Sequence, residues 1–194
     1  MNAVIENMLS RRSVRSYTDQ PVEPELLKTI LDCGLYAPTG HNSQRTRIFV
    51  QQKPETIAAL NVIVQRELLA HVLTENDVMA SSIARAKTPN YHFMHHAGVL
   101  ISVAGPRDYS NSMAECAAAV ENMLLAAHSL GLGGCWINQS NWFHDVPDLR
   151  ALFEPLGMRN DEVILASLCV GYTDLQTPPM PPRKDGRLIC DMPL

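Results

Sequence analysis

Apolar residues recur along the first third of the chain at spacings of three and four. Val4, Ile5, Met8 and Leu9 form one such set, which predicts a short N-terminal helix. Pro24 suits the first turn of a second helix with Leu26, Leu27, Ile30 and Leu31 on one face, and Gly34 is placed to end it. Pro54 opens a third, whose buried stripe is Ile57, Leu60, Ile63, Val64 and Leu68, and residues 75–87 read as a fourth. The longest apolar helical pattern runs from Met113 to Leu130, where Cys116, Val120, Met123, Leu124 and Ala127 share a face and alanines fill most of the remainder. A helix apolar nearly all round has to be covered on several sides, and a partner subunit is one way to cover it.

Between these helices lie short runs with the composition of strands. Ile48 to Val50, Val99 to Ala104 (bounded by Gly98 and Gly105), Cys135 to Ile137 and Val163 to Val170 are β-branched or aliphatic and end at glycines or polar residues. Residues 36–44 hold turn formers with amide and hydroxyl side chains, suited to presenting hydrogen-bonding groups. After Gly171 the prolines at 178, 179, 181 and 182 force an extended segment that carries Arg183, Lys184 and Arg187.

Composition narrows the class. A chain of 194 residues, 46% hydrophobic and 19% charged, is long enough for one domain spanning 1–194 with a real core. Its net charge of −4 lacks the broad positive field that a nucleic-acid or membrane-surface partner needs. No run approaches the ~20 apolar residues of a spanning helix, and no signal peptide is evident. Five cysteines, odd in number and without a C-x-x-C pair, fit reduced core thiols and a cytoplasmic setting. His92, His95 and His96 lack a companion carboxylate or thiolate, so no metal site is expected there.

Against that acidic background, residues 10–16 set three arginines and three serines within seven positions. Arginine forks match phosphate oxygens and serine hydroxyls add neutral donors, so the cluster is suited to one small phosphate. A solvated basic edge at a helix end is the competing reading. The glycines at 131, 133 and 134 follow a helix and precede a strand, the reverse of the dinucleotide-binding order, which excludes a Rossmann site.

Four pieces taken in order resemble the FMN-dependent nitroreductase-like flavoproteins over nearly the whole chain. They are Arg11-Arg12-Ser13-x-Arg15, Ala37-Pro38-Thr39-Gly40-x-Asn42-Ser43-Gln44, the alanine-rich helix running into Leu130-Gly131-Leu132-Gly133-x-Cys135-Trp136-Ile137, and Val170-Gly171-Tyr172 before a Pro/Arg/Lys tail. The resemblance implies an α+β fold, a mainly antiparallel sheet flanked by helices on both faces. It implies an interlocked homodimer, with the C-terminal segment of each subunit lying over the other and FMN at the interface. By position, Arg11, Arg12, Ser13 and Arg15 correspond to the phosphate, ribityl and pyrimidine-edge contacts, with Arg183 reaching the phosphate from the tail. Pro38, Thr39, Gly40 and Asn42 correspond to contacts from the partner subunit. Asn90 matches an asparagine at the isoalloxazine edge, and the backbone of Ile137, Asn138 and Gln139 matches the segment facing flavin N5.

Two positions depart from that pattern. A basic residue near the pyrimidine edge falls at Phe93, and the tail lysine two before Arg183 is Pro181; His92 and Lys184 are the candidates to substitute. The implied activity is an NAD(P)H-dependent FMN oxidoreductase acting by a ping-pong scheme on nitro compounds, quinones or related acceptors. No catalytic side chain is required, because the flavin carries the chemistry and the protein positions and tunes it. A flavin-binding or sensing protein without turnover, and a specialised member that dehalogenates or breaks down flavin, are the alternatives.

Overall fold

The computed structural model describes residues 1–176 and 178–191. Its elements are α1 (Ala3–Ser10), α2 (Pro24–Leu35), β1 (Arg47–Gln51), α3 (Pro54–Ala70), α4 (Ala80–Ala86), β2 (Val99–Pro106), α5 (Ser112–Ser129), β3 (Gly133–Ile137), α6 (Gln139–Trp142), α7 (Pro147–Ala151) and β4 (Glu162–Gly171). The strands form one antiparallel sheet in the order β1-β2-β4-β3. Strand alternation divides the core in two. Val99, Ile101 and Val103 of β2, with Ala166, Leu168 and Val170 of β4, pack on α2 and α5. Leu100 and Ala104, with Ile164 and Cys169, face α3, α4 and the aromatic pair Phe49 and Phe153, whose rings meet edge to face at 6.0 Å. The α+β architecture with helices on both faces is thus as the sequence implies. Among the described residues no helix is long and apolar enough to cross a membrane.

Two local expectations are corrected. Gly34 does not end α2 but lies inside it, because a side chain there would meet Met123 Cγ and Sδ at 2.8 Å; the glycine lets α2 and α5 approach closely. The fourth helix begins at Ala80 rather than 75, since Asp77 draws the backbone N–H of Met79 (2.8 Å) and Asn76 is left-handed at φ 60°. The long helix α5 is largely covered within one chain, by α2, the sheet and α1. Uncovered apolar surface includes α1, which buries none of its residues and leaves Val4, Ile5, Met8 and Leu9 exposed.

The sheet also has a functional consequence. The loop 36–46 feeds β1 on one outer edge, whereas Ser13 forms a parallel bridge to Gly134 of β3 on the other. Three strand spacings, roughly 14 Å, separate those edges.

Candidate functional site

The arginine-rich segment is held in place from both ends. Asn2 caps α1 by accepting from the Ile5 N–H at 3.0 Å, and α1 stops at Ser10, whose Oγ sits 2.9 Å from His128 Nε2. Beyond it the chain runs beside β3: the Val14 N–H donates to the Gly134 carbonyl at 3.0 Å, and Tyr17 Oη donates to the Val14 carbonyl at 2.7 Å. Gly133 makes the approach possible, since a side chain there would meet Val14 Cγ1 at 2.8 Å.

The four predicted residues of this segment then diverge. Arg12 turns back on α1, its Nη1 donating to the Leu9 carbonyl at 2.8 Å and the Arg11 carbonyl at 2.6 Å, so it closes the helix C-terminus. Arg12 and Ser13 line a cleft with His128, Gly131 and the start of the tail at Thr173 and Leu175. Arg11 is partly buried, and its Nη1 is enclosed with no hydrogen-bond partner. Such a donor is costly unless something accepts from it. Arg15 is exposed and donates only a long 3.5 Å bond to the Ser13 carbonyl. It lines two further clefts of about 450 and 430 Å³.

Those two clefts gather the other half of the predicted site. The first joins Arg15 to Asn90, and the second joins it to Ile137, Asn138 and Gln139 at the end of β3. Asn90 is left-handed at φ 58°, as are His95 at 56° and His96 at 65°. Backbone held in that sparsely populated region tends to mark sites where geometry serves a ligand. Trp136 Nε1 donates to Asn138 Oδ1 at 2.7 Å, and Gln139 Nε2 reaches Ser82 Oγ at 3.5 Å, which ties β3 to α4. Beneath lie Cys135 and Cys169, both buried; burial pushes the Cys169 thiol up to about 12 and raises Cys135, so neither is a thiolate near neutrality.

Pro38, Thr39, Gly40 and Asn42 lie apart from this gathering, on the β1 side of the sheet. They are shaped by a short 3-10 turn with His41, Asn42 and Gln44 left-handed. Glu115, a buried carboxylate in the first turn of α5, pins them: its Oε1 accepts from the Gly40 N–H at 2.7 Å and from Tyr109 Oη at 3.0 Å. Arg183 lies in the exposed tail, together with the exposed Leu188 and Ile189.

Two site features escape the sequence reading. Glu115 stands on an apolar helix face where only its charge among alanines signals a buried acceptor. Arg85, on α4, lines the same two clefts as Arg15. His92 does not replace the missing cation: its Nδ1 accepts from the N–H groups of Met94 (3.2 Å) and His96 (3.3 Å), and burial first, then His96, lowers its pKa to about 4. Among the described residues no group of three or more His, Cys, Asp or Glu is arranged to hold a metal ion.

Comparisons with known proteins place the fold in a known family. The model of the nitroreductase family matches residues 8–172. The chain is 27% identical over 194 residues to an NADPH-flavin oxidoreductase of Vibrio harveyi, covering 97% of this chain and 73% of that protein. An FMN reductase (NADPH) of Bacillus subtilis is 28% identical over 137 residues, 71% of this chain and 54% of its own length. A nitroreductase structure with bound FMN from Bacteroides fragilis superposes with a TM-score of 0.86 at 28% identity, covering 98% and 99% of the two chains.

Proposed function

The chain belongs to the nitroreductase family, and from that premise we propose that it is an FMN-dependent oxidoreductase that uses NAD(P)H to reduce nitro compounds, quinones or related acceptors. The observation that carries this reading is the enclosed, unpartnered Nη1 of Arg11, set four residues from an unpaired Arg15 in a chain of net charge −4. Arg11 leaves a donor to be satisfied, and Arg15 lines the clefts that reach Asn90 and residues 137–139, where the donors suit an anionic cofactor such as FMN.

When bound, FMN supplies the two-electron chemistry between a reduced nicotinamide and the acceptor. The chain's own residues hold and tune it. Arg11, with Ser13 and the tail's Arg183, forms the phosphate contacts, and Arg12 fixes the turn that delivers them. Arg15 and Asn90 hold the pyrimidine edge. The backbone at Ile137, Asn138 and Gln139 faces the ring. A cation near that edge favours negative charge that develops on reduction, a preorganised electrostatic contribution rather than a proton transfer.

The same reading makes the protein a homodimer of one FMN-binding domain per chain, in a cytoplasmic setting. Pro38, Thr39, Gly40 and Asn42 sit on the sheet edge opposite Ser13 and Arg15, and a second copy reunites the two sets. The exposed apolar side of α1, and a groove of about 490 Å³ between α1, α2 and α5, support that contact.

Purified protein should be yellow and should bleach when NADPH or NADH is added without air, then regain colour with a nitro compound or quinone. Retained colour without bleaching would favour a flavin-binding or sensing protein. A colourless protein that cannot be reconstituted with FMN would refute the assignment.

A further inference from the structure

Resting on that reading and extending it, we infer that Arg85 is a further cofactor-contacting residue, the second cation at the flavin's pyrimidine edge, and that His95 positions it. Three residues line both clefts at this site: Arg15 from the N-terminal segment, Arg85 from α4, and His95 from the strained turn before β2. A flat ligand that reaches both Asn90 and the backbone at 137–139 passes all three.

Charge points the same way. Among the described residues neither Arg15 nor Arg85 joins an ion pair, and Asp19 is the one carboxylate lining the two clefts. Two uncompensated guanidinium groups facing one space favour an anion between them. The position that would otherwise bring a cation is Phe93, which is 1% exposed, and the neighbouring His92 is spent on backbone donors. Lys184 lies out in the exposed tail.

His95 orients the arginine. Arg85 Nη2 donates to His95 Nδ1 at 3.0 Å, which requires an unprotonated Nδ1 and fixes the neutral tautomer with its hydrogen on Nε2. Burial first, then the charges of Arg85 and Arg15, hold the His95 pKa at about 4, consistent with both guanidinium groups standing near this ring. Arg85 is solvent-exposed on a short helix, so its substitution can be examined without disturbing the core.

The test compares Arg85→Met, Arg85→Lys, His95→Ala and the Arg85→Met/His95→Ala double variant with the parent. FMN is titrated into each apoprotein, and the midpoint potential of each reconstituted form is measured by spectroelectrochemistry. Arg85→Met is expected to raise the FMN Kd severalfold and to move the potential negative by about 30 mV for each tenfold loss of preference for reduced over oxidised flavin. Arg85→Lys should recover most of that shift. His95→Ala should move the potential in the same direction by less, and the double variant no further than Arg85→Met alone, as expected for residues acting through one contact. A potential unchanged in FMN-loaded Arg85→Met would overturn the inference. So would a raised KM for 4-nitrobenzoate but not for nitrobenzene at unchanged potential, which would assign Arg85 to the acceptor. If the parent itself takes up no FMN, the functional reading fails and this inference with it. If Arg15→Ala lowers the potential while Arg85→Met does not, the inference alone fails.

Discussion

Removing the carboxylate of Glu115 should loosen the loop that carries Pro38 to Asn42, and the size of the effect follows from its contacts. Glu115 is 5% exposed, and its Oε1 takes hydrogen bonds from the Gly40 N–H at 2.7 Å and Tyr109 Oη at 3.0 Å. Charge-assisted bonds of this kind contribute about 1.5–3 kcal/mol each, which bounds the loss in Glu115→Ala near ~6 kcal/mol. Relief from holding a carboxylate out of water offsets part of that, leaving a net cost of about 2–3 kcal/mol. For a chain of this size such a loss lowers Tm by about 4–12 °C. Glu115→Gln keeps a carbonyl oxygen for Gly40 and should cost about 1 kcal/mol. Urea unfolding of the FMN-free protein gives the stability change, and FMN titration gives the coupled loss of affinity. If Glu115→Ala leaves both the urea midpoint and the FMN affinity at parental values, the loop is not anchored by this residue and the argument is wrong.

Arg11→Ala should weaken FMN binding by roughly one to two decades, the equivalent of one charge-assisted contact, as read by titration of the apoprotein. Arg15→Ala should instead act mainly on the flavin midpoint potential; an unchanged potential would count against its place at the ring. Gly133→Ala should destabilise by about 1–3 kcal/mol, because the new methyl meets Val14 at 2.8 Å and Val14 is tied by its N–H to Gly134. Denaturant unfolding checks the energy, and a parallel drop in FMN affinity would report the displaced Arg15. His92 and His95 are held at about 4 against an ordinary 6.5, so between those values the unfolded chain binds more protons than the folded one. Stability is therefore full above about pH 6.5 and declines as pH falls toward 4. Melting curves between pH 7 and 4.5 should show the decline, and replacing both histidines with asparagine should flatten it.

Much of the fold is legible from periodicity because its strongest patterns coincide with layers. The stripe from Ile57 to Leu68 is the buried side of α3, and the alanine-rich run is α5 at the centre of its own core. Glycine is less legible. Gly34 looks like a stop signal in one dimension, but it serves a helix contact with Met123, which sequence spacing does not reveal. In the site, Arg15, Asn90 and residues 137–139, which the resemblance assigns to the ring, line neighbouring clefts. The resemblance assigns Arg12 to the same contacts, and its guanidinium is bonded to the C-terminal end of α1, a placement set by the local turn that residue type does not reveal. Arg85 left no signal because a lone arginine on a short amphipathic helix is ordinary surface until the fold shows what it faces.

The separation of the predicted cofactor contacts onto opposite sheet edges carries a thermodynamic consequence. If two copies complete each FMN site, ligand occupancy and subunit association are linked functions, and each must strengthen the other by the same factor. FMN then acts as an assembly ligand as well as a redox group, and its apparent affinity depends on protein concentration. For such a dimer, dilution would release the flavin because half of its binding surface would leave with the other chain, even with every residue of the remaining half intact.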